Sequence, residues 1–158
     1  MNEVQREEAK RAYATIKKAL DERKWSYEAD DEQLSVSCSV QGQDLPIRLV
    51  LFLEPEVSMI RVFSPLSFTV PEEKRVDLAI ATLIASSTMA NGSFDYSLAD
   101  GHITYRMAQP YQNSIIGPEL IDYLVDCACS SVDVYNDQFL AITKGYLSTE
   151  DFLKRTVK

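Results

Sequence analysis

The stretch LAIATLIASSTMANGSF, residues 78–94, contains no charged side chain, although 25% of the 158 residues are Asp, Glu, Lys or Arg. On a helical wheel at about 100° per residue, its apolar side chains fall on two opposite faces. One face carries Val76, Ala79, Ile80, Leu83, Ile84, Ser87 and Ala90, and the other carries Leu78, Ala81, Ala85 and Met89. A helix that is apolar all round is buried in a protein or spans a membrane, and Asn91 and Gly92 end this one short of the ~20 residues that a span needs. We therefore expect a buried helix, with a sheet on one side and another helix or a second subunit on the other.

The residues that follow predict a β-hairpin closed by Asp100 and Gly101, a pair favoured in two-residue type I′ turns. Such a turn fixes the register of the two strands. The predicted pairs on one face are Leu98 with Ile103, Tyr96 with Tyr105 and Phe94 with Met107, and those on the other are Ser97 with Thr104 and Asp95 with Arg106. The pairs match in chemistry, and a slip of one residue would turn the apolar side chains to the wrong face.

Ahead of the uncharged stretch, the sequence predicts one helix and four strands. An apolar stripe with charges on the opposite face indicates a helix over about 3–23. Alternating patterns and turn residues predict strands at 25–29, 34–41, 45–54 and 58–63. The third of these contains IRLVLFL, which is apolar on both faces and is therefore expected at the centre of the sheet.

Helix-end signals complete the expected order of elements. Thr69 and Glu72 have capping-box spacing for the start of the uncharged helix. A third helix is predicted over about 118–144, and Ser148 indicates the start of a short terminal one. The expected fold is a single α+β domain over 1–158, an antiparallel sheet of about five to six strands flanked by helices in the order α-β-β-β-β-α-β-β-α(-α).

The composition disfavours two classes of partner. The formal net charge is −8, and outside the first helix the basic residues are scattered. A nucleic-acid or anionic membrane surface would need clustered Lys and Arg. The charged start MNEVQREEAKRA does not resemble a signal peptide, and no transmembrane run follows it. We expect a cytoplasmic protein that binds neither nucleic acid nor membrane.

No pattern in the chain predicts a reaction. The sequence has no phosphate-binding glycine loop, dinucleotide fingerprint, nucleophile elbow or zinc-spaced cysteine set. The single histidine, His102, is expected at a solvated strand end. Cys127 and Cys129 point away from each other on the predicted third helix, and Cys38 alternates with apolar neighbours as a small core residue. We predict no catalytic, cofactor or metal site and no enzymatic activity.

The predicted third helix has three distinct faces. Its main apolar stripe contains Ile121, Leu124, Val125, Ala128, Val132, Tyr135, Phe139 and Ile142. The opposite face carries Glu119, Asp122, Asp126, Ser130, Asp133 and Asp137 and is expected to be solvated. A weaker apolar seam of Leu120, Tyr123, Cys127 and Val134 indicates contact with something beyond the sheet, either a partner or the terminal helix.

Several turn and core positions follow a family pattern. It comprises a Val-Pro helix start, a helix ending in small residues and Asn, then Gly, an aromatic residue, and a hairpin closed by Asp-Gly before Ile and Arg. The matching residues are Val70, Pro71, Asn91, Gly92, Phe94, Asp100, Gly101, Ile103 and Arg106. With the closing LAITKGYLSTEDFL, the chain resembles the YbjN-like family of bacterial proteins over roughly 8–153. Many relatives have a second Asn where this chain has SST at 86–88.

The resemblance implies a regulatory protein, because members are labelled as sensory transduction regulators. It also implies a fold similar to that of type III secretion chaperones, which are commonly dimeric. We therefore predict a homodimer whose interface is the helix face of Leu78, Ala81, Ala85 and Met89, where small residues allow close approach. The alternative is that the third or terminal helix covers this face within one chain.

Two functional classes fit these expectations. The first is a non-enzymatic binding or regulatory protein, with a protein partner on the free sheet face, an edge strand or the apolar seam. The second is a chaperone-like holder of an unfolded client segment. Ser35, Ser37 and Ser39 are predicted to make one sheet face polar, which argues against the second class.

Overall fold

The computed structural model describes residues 2–157 and contains six strands and four helices in that range. The helices are α1 (Glu3–Glu22), α2 (Arg75–Ser87), α3 (Pro118–Thr143) and α4 (Thr149–Thr156), and the strands are β1 (Tyr27–Asp30), β2 (Ser35–Gln41), β3 (Pro46–Glu54), β4 (Met59–Thr69), β5 (Ser93–Tyr96) and β6 (His102–Pro110). This order confirms the predicted α-β-β-β-β-α-β-β-α-α arrangement of an α+β domain.

The six strands form one antiparallel sheet in the order β1-β2-β3-β4-β6-β5. β3 and β4 lie at its centre, as predicted for the doubly apolar IRLVLFL segment. Alternate side chains are buried along each central strand, including Leu49 and Leu51 on β3 and Ile60 and Val62 on β4. The helices cover this inner face: α3 contacts β3, β4 and β6, α1 packs beside α3, and α2 lies at the β5 end with α4.

An aromatic cluster joins β5 to the two C-terminal helices. Phe94 meets Phe139 edge to face, with ring centroids 5.0 Å apart, and Phe139 packs on Phe152 at 5.9 Å. Tyr135 contacts both Phe94 and Phe152. Because large aromatic side chains bury much apolar area, this cluster fixes α4 against the rest of the core.

The β5–β6 hairpin is present, but its register differs from the prediction by two residues. Phe94 pairs with Tyr105, and Tyr96 pairs with Ile103. The loop spans residues 97–101 instead of two residues. Its wider form is held from outside the hairpin, because Arg75 donates to the carbonyl oxygens of Leu98 and Ala99 at 3.1 and 2.9 Å.

A shift of two residues preserves which face each side chain occupies. Tyr105 and Met107 therefore remain buried as predicted, and Asp95 still pairs with Arg106, now diagonally, at 2.6 Å. Leu98 was predicted to face inward opposite Ile103. It lies in the loop instead and is 60% exposed.

α2 is shorter than predicted at both ends. Thr69 belongs to β4 and pairs with His102, so it does not cap the helix, and a 3-10 turn at Glu72–Lys74 leads into α2. At the other end, the hydroxyls of Ser87 and Thr88 donate to carbonyl oxygens three residues earlier. Such local bonds compete with the helical ladder, and α2 ends at Ser87.

The acidic face of α3 is partly structural, although it was predicted to be solvated. Arg23, at the end of α1, donates to Asp122 at 2.5 Å and to Asp126 at 2.8 Å. Its guanidinium also lies 5.3 Å from the Trp25 ring centroid. Asp133 accepts a hydrogen bond of 2.8 Å from the backbone N–H of Gln43. These contacts tie α3 to α1 and to the β2–β3 turn.

Candidate interaction surfaces

The face of α2 predicted to form a dimer interface is covered within the chain. Leu78, Ala81 and Ala85 are fully buried, and Met89 is half-buried. β5, α3 and α4 pack against α2, and Thr149 of α4 donates a hydrogen bond to a carboxylate oxygen of α2. The prediction of this surface is therefore corrected: in this fold it is an internal helix contact and is not free for a second subunit.

The opposite side of α2 is the exposed one. Val76, Ile80 and Leu83 are 70%, 45% and 71% exposed, and their spacing places them on one side of the helix. We call these three residues the outer face of α2. The helical wheel identified this second apolar face. It did not show which of the two apolar faces the rest of the chain would cover, because both have the same apolar character.

The predicted seam on α3 is only partly exposed. Tyr123 and Val134 are 47% and 55% exposed, whereas Leu120 and Cys127 are half-buried. The Tyr123 hydroxyl accepts a hydrogen bond from the side-chain amide of Asn91. The Cys127 Sγ lies 3.6 Å from the Tyr105 hydroxyl. The seam therefore contacts Asn91 after α2 and Tyr105 of β6, and only Tyr123 and Val134 are open to a partner.

The sheet has a second face on which, among residues 2–157, no helix packs. Phe52 and Phe63 lie there on neighbouring strands, with their rings stacked at 5.5 Å and 8° between planes. Val50 pairs with Phe63 across the same strands. The surface that these rings form, here called the open sheet face, consists of Arg48, Val50, Phe52, Met59, Arg61, Phe63 and Arg106.

Two of the three arginines on the open sheet face are fixed by carboxylates. Arg61 contacts Glu54 at 2.8 Å, and Arg106 contacts Asp95 at 2.6 Å. Arg48 forms no salt bridge within the described range. Beside them, the alternating serines of β2 face outward as predicted, opposite Arg48, Val50 and Phe52. The open sheet face thus mixes apolar side chains with arginines along β3 and β4, and the serines of β2 border it with hydroxyls.

Residues with chemical potential are dispersed over the structure. His102 is exposed at the start of β6. Burial raises the pKa of the Cys129 thiol to about 12 and also raises that of Cys38. Between residues 2 and 157, no group of three or more His, Cys, Asp or Glu side chains could hold a metal ion. In the same range, no helix combines the length and the apolar character that crossing a membrane requires.

A protein-family model described as "YbjN: Putative bacterial sensory transduction regulator" matches residues 12–141. The chain belongs to the YbjN family. A solved structure, "Crystal structure of YbjN, a putative transcription regulator from E. coli", is similar with a TM-score of 0.57 and 10% sequence identity. The alignment covers 80% of this chain and 92% of that chain. At this identity the similarity shows the shared fold alone, and no curated protein matches the sequence.

The structure explains why several residues of the YbjN family pattern are turn residues here. Gly101 has φ +77°, and its carbonyl oxygen accepts a hydrogen bond of 3.0 Å from the N–H of Val70. Gly92 has φ +76° and lies directly against the Tyr105 ring. Both positions combine a left-handed backbone, which favours glycine, with a neighbour that leaves no space for a Cβ. These two motif residues are therefore explained by the turns that they form.

Proposed function

We propose that this member of the YbjN family is a regulatory protein without catalytic activity, which acts by binding another protein through the open sheet face. One observation carries this proposal: a face left uncovered by the helices holds a stacked Phe52–Phe63 pair among arginines. Aromatic residues, Met and Arg are the types enriched at protein interfaces. Binding energy also concentrates on a few such residues at the centre of an interface.

The arginines support a preorganised surface. Arg61 and Arg106 are each paired with an acidic neighbour, which reduces the side-chain freedom that is lost when a partner binds. Arg48 has no such neighbour and is free to contact a carboxylate of the partner. Because the net charge is −8 and two of the three arginines of this face are paired with carboxylates, we propose neither nucleic acid nor membrane as the partner, and we place the activity in the cytoplasm.

We further propose that two copies associate through the outer face of α2. Val76, Ile80 and Leu83 offer a stripe that a twofold-related copy can cover with its own. Ile80 and Leu83 lie in the stretch from 78 to 94, which has no charged side chain, so this part of the contact brings no like charges together despite the acidic composition. The homodimer expected from the sequence is thus moved from the inner to the outer side of the helix.

A second candidate is the chaperone-like holder of an unfolded client segment. The uncovered rings of Phe52 and Phe63 favour it, because extended segments bind to sheets through apolar pockets. The outward serines of β2 argue against it, since they make the strand beside that face polar. The two candidates differ in the state of the bound protein: a regulator's target is folded alone, and a chaperone's client is not.

The proposal is tested by affinity capture of the tagged full chain from its native cytosol, followed by rebinding of the purified partner. Phe63→Ser removes half of the aromatic pair, and Leu98→Ser, at a loop residue outside the surfaces defined above, is the matched control. Loss of direct binding by Phe63→Ser alone supports the open sheet face. Equal binding by both variants would overturn it. Circular dichroism of the partner alone then separates a folded target from an unfolded client.

A further inference from the structure

A cavity of about 490 Å³ lies between α1 and the segment that joins β6 to α3, away from the open sheet face and the outer face of α2. We infer that this cavity binds a small zwitterion, an amino acid or dipeptide with an apolar or aromatic side chain. Its volume falls in the range of about 300–1,000 Å³ typical of small-ligand pockets. The proposal goes beyond protein binding, because it assigns the molecule a low-molecular-weight ligand.

Two opposite charges line the cavity from α1. Glu8 and Arg11 are one helical turn apart, and both contribute to its wall. Neither forms a salt bridge with a described residue, whereas their neighbours Glu7 and Lys10 pair with each other at 2.9 Å. A ligand that carries an ammonium and a carboxylate matches both free charges at once. A ligand of a single charge leaves one of them unmatched.

Tyr111 supplies a buried polar group in the same wall. It is only 2% exposed, and its hydroxyl has no hydrogen-bond partner among residues 2–157. Buried hydroxyls are normally hydrogen-bonded, so a ligand that reaches this hydroxyl would supply the partner that it lacks. Burial, together with the negative charge of Glu8, raises the pKa of Tyr111. The hydroxyl therefore stays protonated at neutral pH and can donate to a carboxylate.

The apolar part of the proposed ligand has its own contacts. Ala12 of α1 and Ile116 of the joining segment line the cavity, and Ile115 beside them has a fully exposed side chain. An apolar or aromatic ligand side chain would cover part of this surface, and that burial favours binding. Charge pair, buried hydroxyl and apolar wall together select the zwitterion with an apolar side chain over a purely polar one.

The test is isothermal titration calorimetry of the full chain with L-phenylalanine and with the dipeptide alanylphenylalanine. Phenylpropionate, which lacks the amine, and phenethylamine, which lacks the carboxylate, are the matched ligand controls. We expect saturable binding of at least one zwitterion. Both control ligands should bind at least about tenfold more weakly than that zwitterion. The zwitterion with the higher affinity shows whether the ligand is a free amino acid or a dipeptide. Binding of neither zwitterion, or equal binding of the controls, would overturn the proposal.

Variants locate the binding in the cavity. The affinity for the zwitterion should fall by about tenfold in each of three variants, Glu8→Gln, Arg11→Gln and Tyr111→Phe. Arg6→Gln makes the same charge change on the same helix outside the cavity and should leave the affinity unchanged. If Arg6→Gln weakens binding as much as Arg11→Gln does, the contact is with surface charge and the cavity assignment fails. The Glu8 and Arg11 variants alter accessible side chains of α1, so they keep the test valid if Tyr111→Phe does not fold.

Discussion

The hydroxyl of Tyr105 lies against Gly92 and donates a hydrogen bond of 3.1 Å to the carbonyl oxygen of Asn91. Gly92 has φ +76°, and a Cβ at this position would overlap the Tyr105 ring. Gly145, just after α3, has nearly the same φ of +77°, but a Cβ there would meet no atom within 4 Å. The two glycines therefore share a backbone conformation and differ in their surroundings.

We predict that Gly92→Ala lowers the free energy of unfolding by about 3 kcal/mol, the sum of left-handed strain and overpacking against Tyr105. Gly145→Ala should cost only about 1 kcal/mol, because the backbone term acts alone. Urea denaturation of both variants measures the difference. Equal losses would show that the Tyr105 ring moves aside without cost.

Arg23 should be worth more to stability than an ordinary surface cation. Its side chain is 21% exposed and bonded to both Asp122 and Asp126. We predict that Arg23→Gln lowers the free energy of unfolding by about 1–2 kcal/mol, because several charge-assisted hydrogen bonds are lost at a partly buried site. Thermal or urea unfolding provides the measurement.

The exposed pair of Lys18 and Glu22 is the control for Arg23. Its atoms are 3.7 Å apart, and both side chains are more than half exposed. Lys18→Gln should therefore change the free energy of unfolding by less than about 0.5 kcal/mol. A double-mutant cycle of Arg23→Gln with Asp126→Asn should give a positive coupling energy. A coupling near zero would assign the loss to the Asp122 and Trp25 contacts instead.

Stability should fall at alkaline pH through the partly buried thiol of Cys129. Burial raises its pKa from 9.0 to about 12, so the thiol ionises more readily in the unfolded chain than in the folded one. Its contribution to stability is complete below pH 9 and is lost as the pH rises towards 12. We predict a smaller slope of unfolding free energy against pH for Cys129→Ala than for the wild type. The variant should retain part of the pH dependence, because buried Tyr13 also has a raised pKa of about 12. An unchanged slope would show that Cys129 does not titrate in this range.

The sequence predicts the elements well because their signals are local. The alternating pattern of β2 and the apolar stripes of α1 and α3 show which side chains are suited to burial, and those side chains are buried in the core. The hairpin register fails for a non-local reason. Asp100 and Gly101 favour a tight turn, but Arg75 and Val70, far back in the chain, bind the loop and hold it open.

The surfaces are harder to predict than the core. The run containing Val50 and Phe52 is apolar on both faces, which indicates a central strand, and β3 is central. The same pattern also indicates the apolar part of the open sheet face, because the helices cover only the other side of the sheet. Tyr111 and Arg11 gave no sequence signal, because 100 residues separate them and only the fold brings them into one cavity.

A charge introduced on the inner side of α2 should affect stability, whereas a charge on its outer side should affect only the proposed homodimer. Ala85 is fully buried against the rest of the chain, so Ala85→Glu should place an unpaired charge in the core and unfold the protein or cost several kcal/mol. Leu83, two residues earlier, is 71% exposed, so Leu83→Glu should leave the unfolding free energy of the monomer nearly unchanged. Urea denaturation of the two variants makes this comparison.

Sedimentation equilibrium then tests the assembly itself. If two copies meet through the outer face of α2, the wild type sediments as a dimer and Leu83→Glu as a monomer, because the contact would bring two carboxylates into an apolar interface. Val4→Glu changes an equally exposed apolar residue on α1, 66% exposed, and should remain dimeric. A wild type that is monomeric, or a Leu83→Glu variant that stays dimeric, would remove the outer face of α2 as the contact. The open sheet face is unaltered in all three proteins, so its partner should bind each of them.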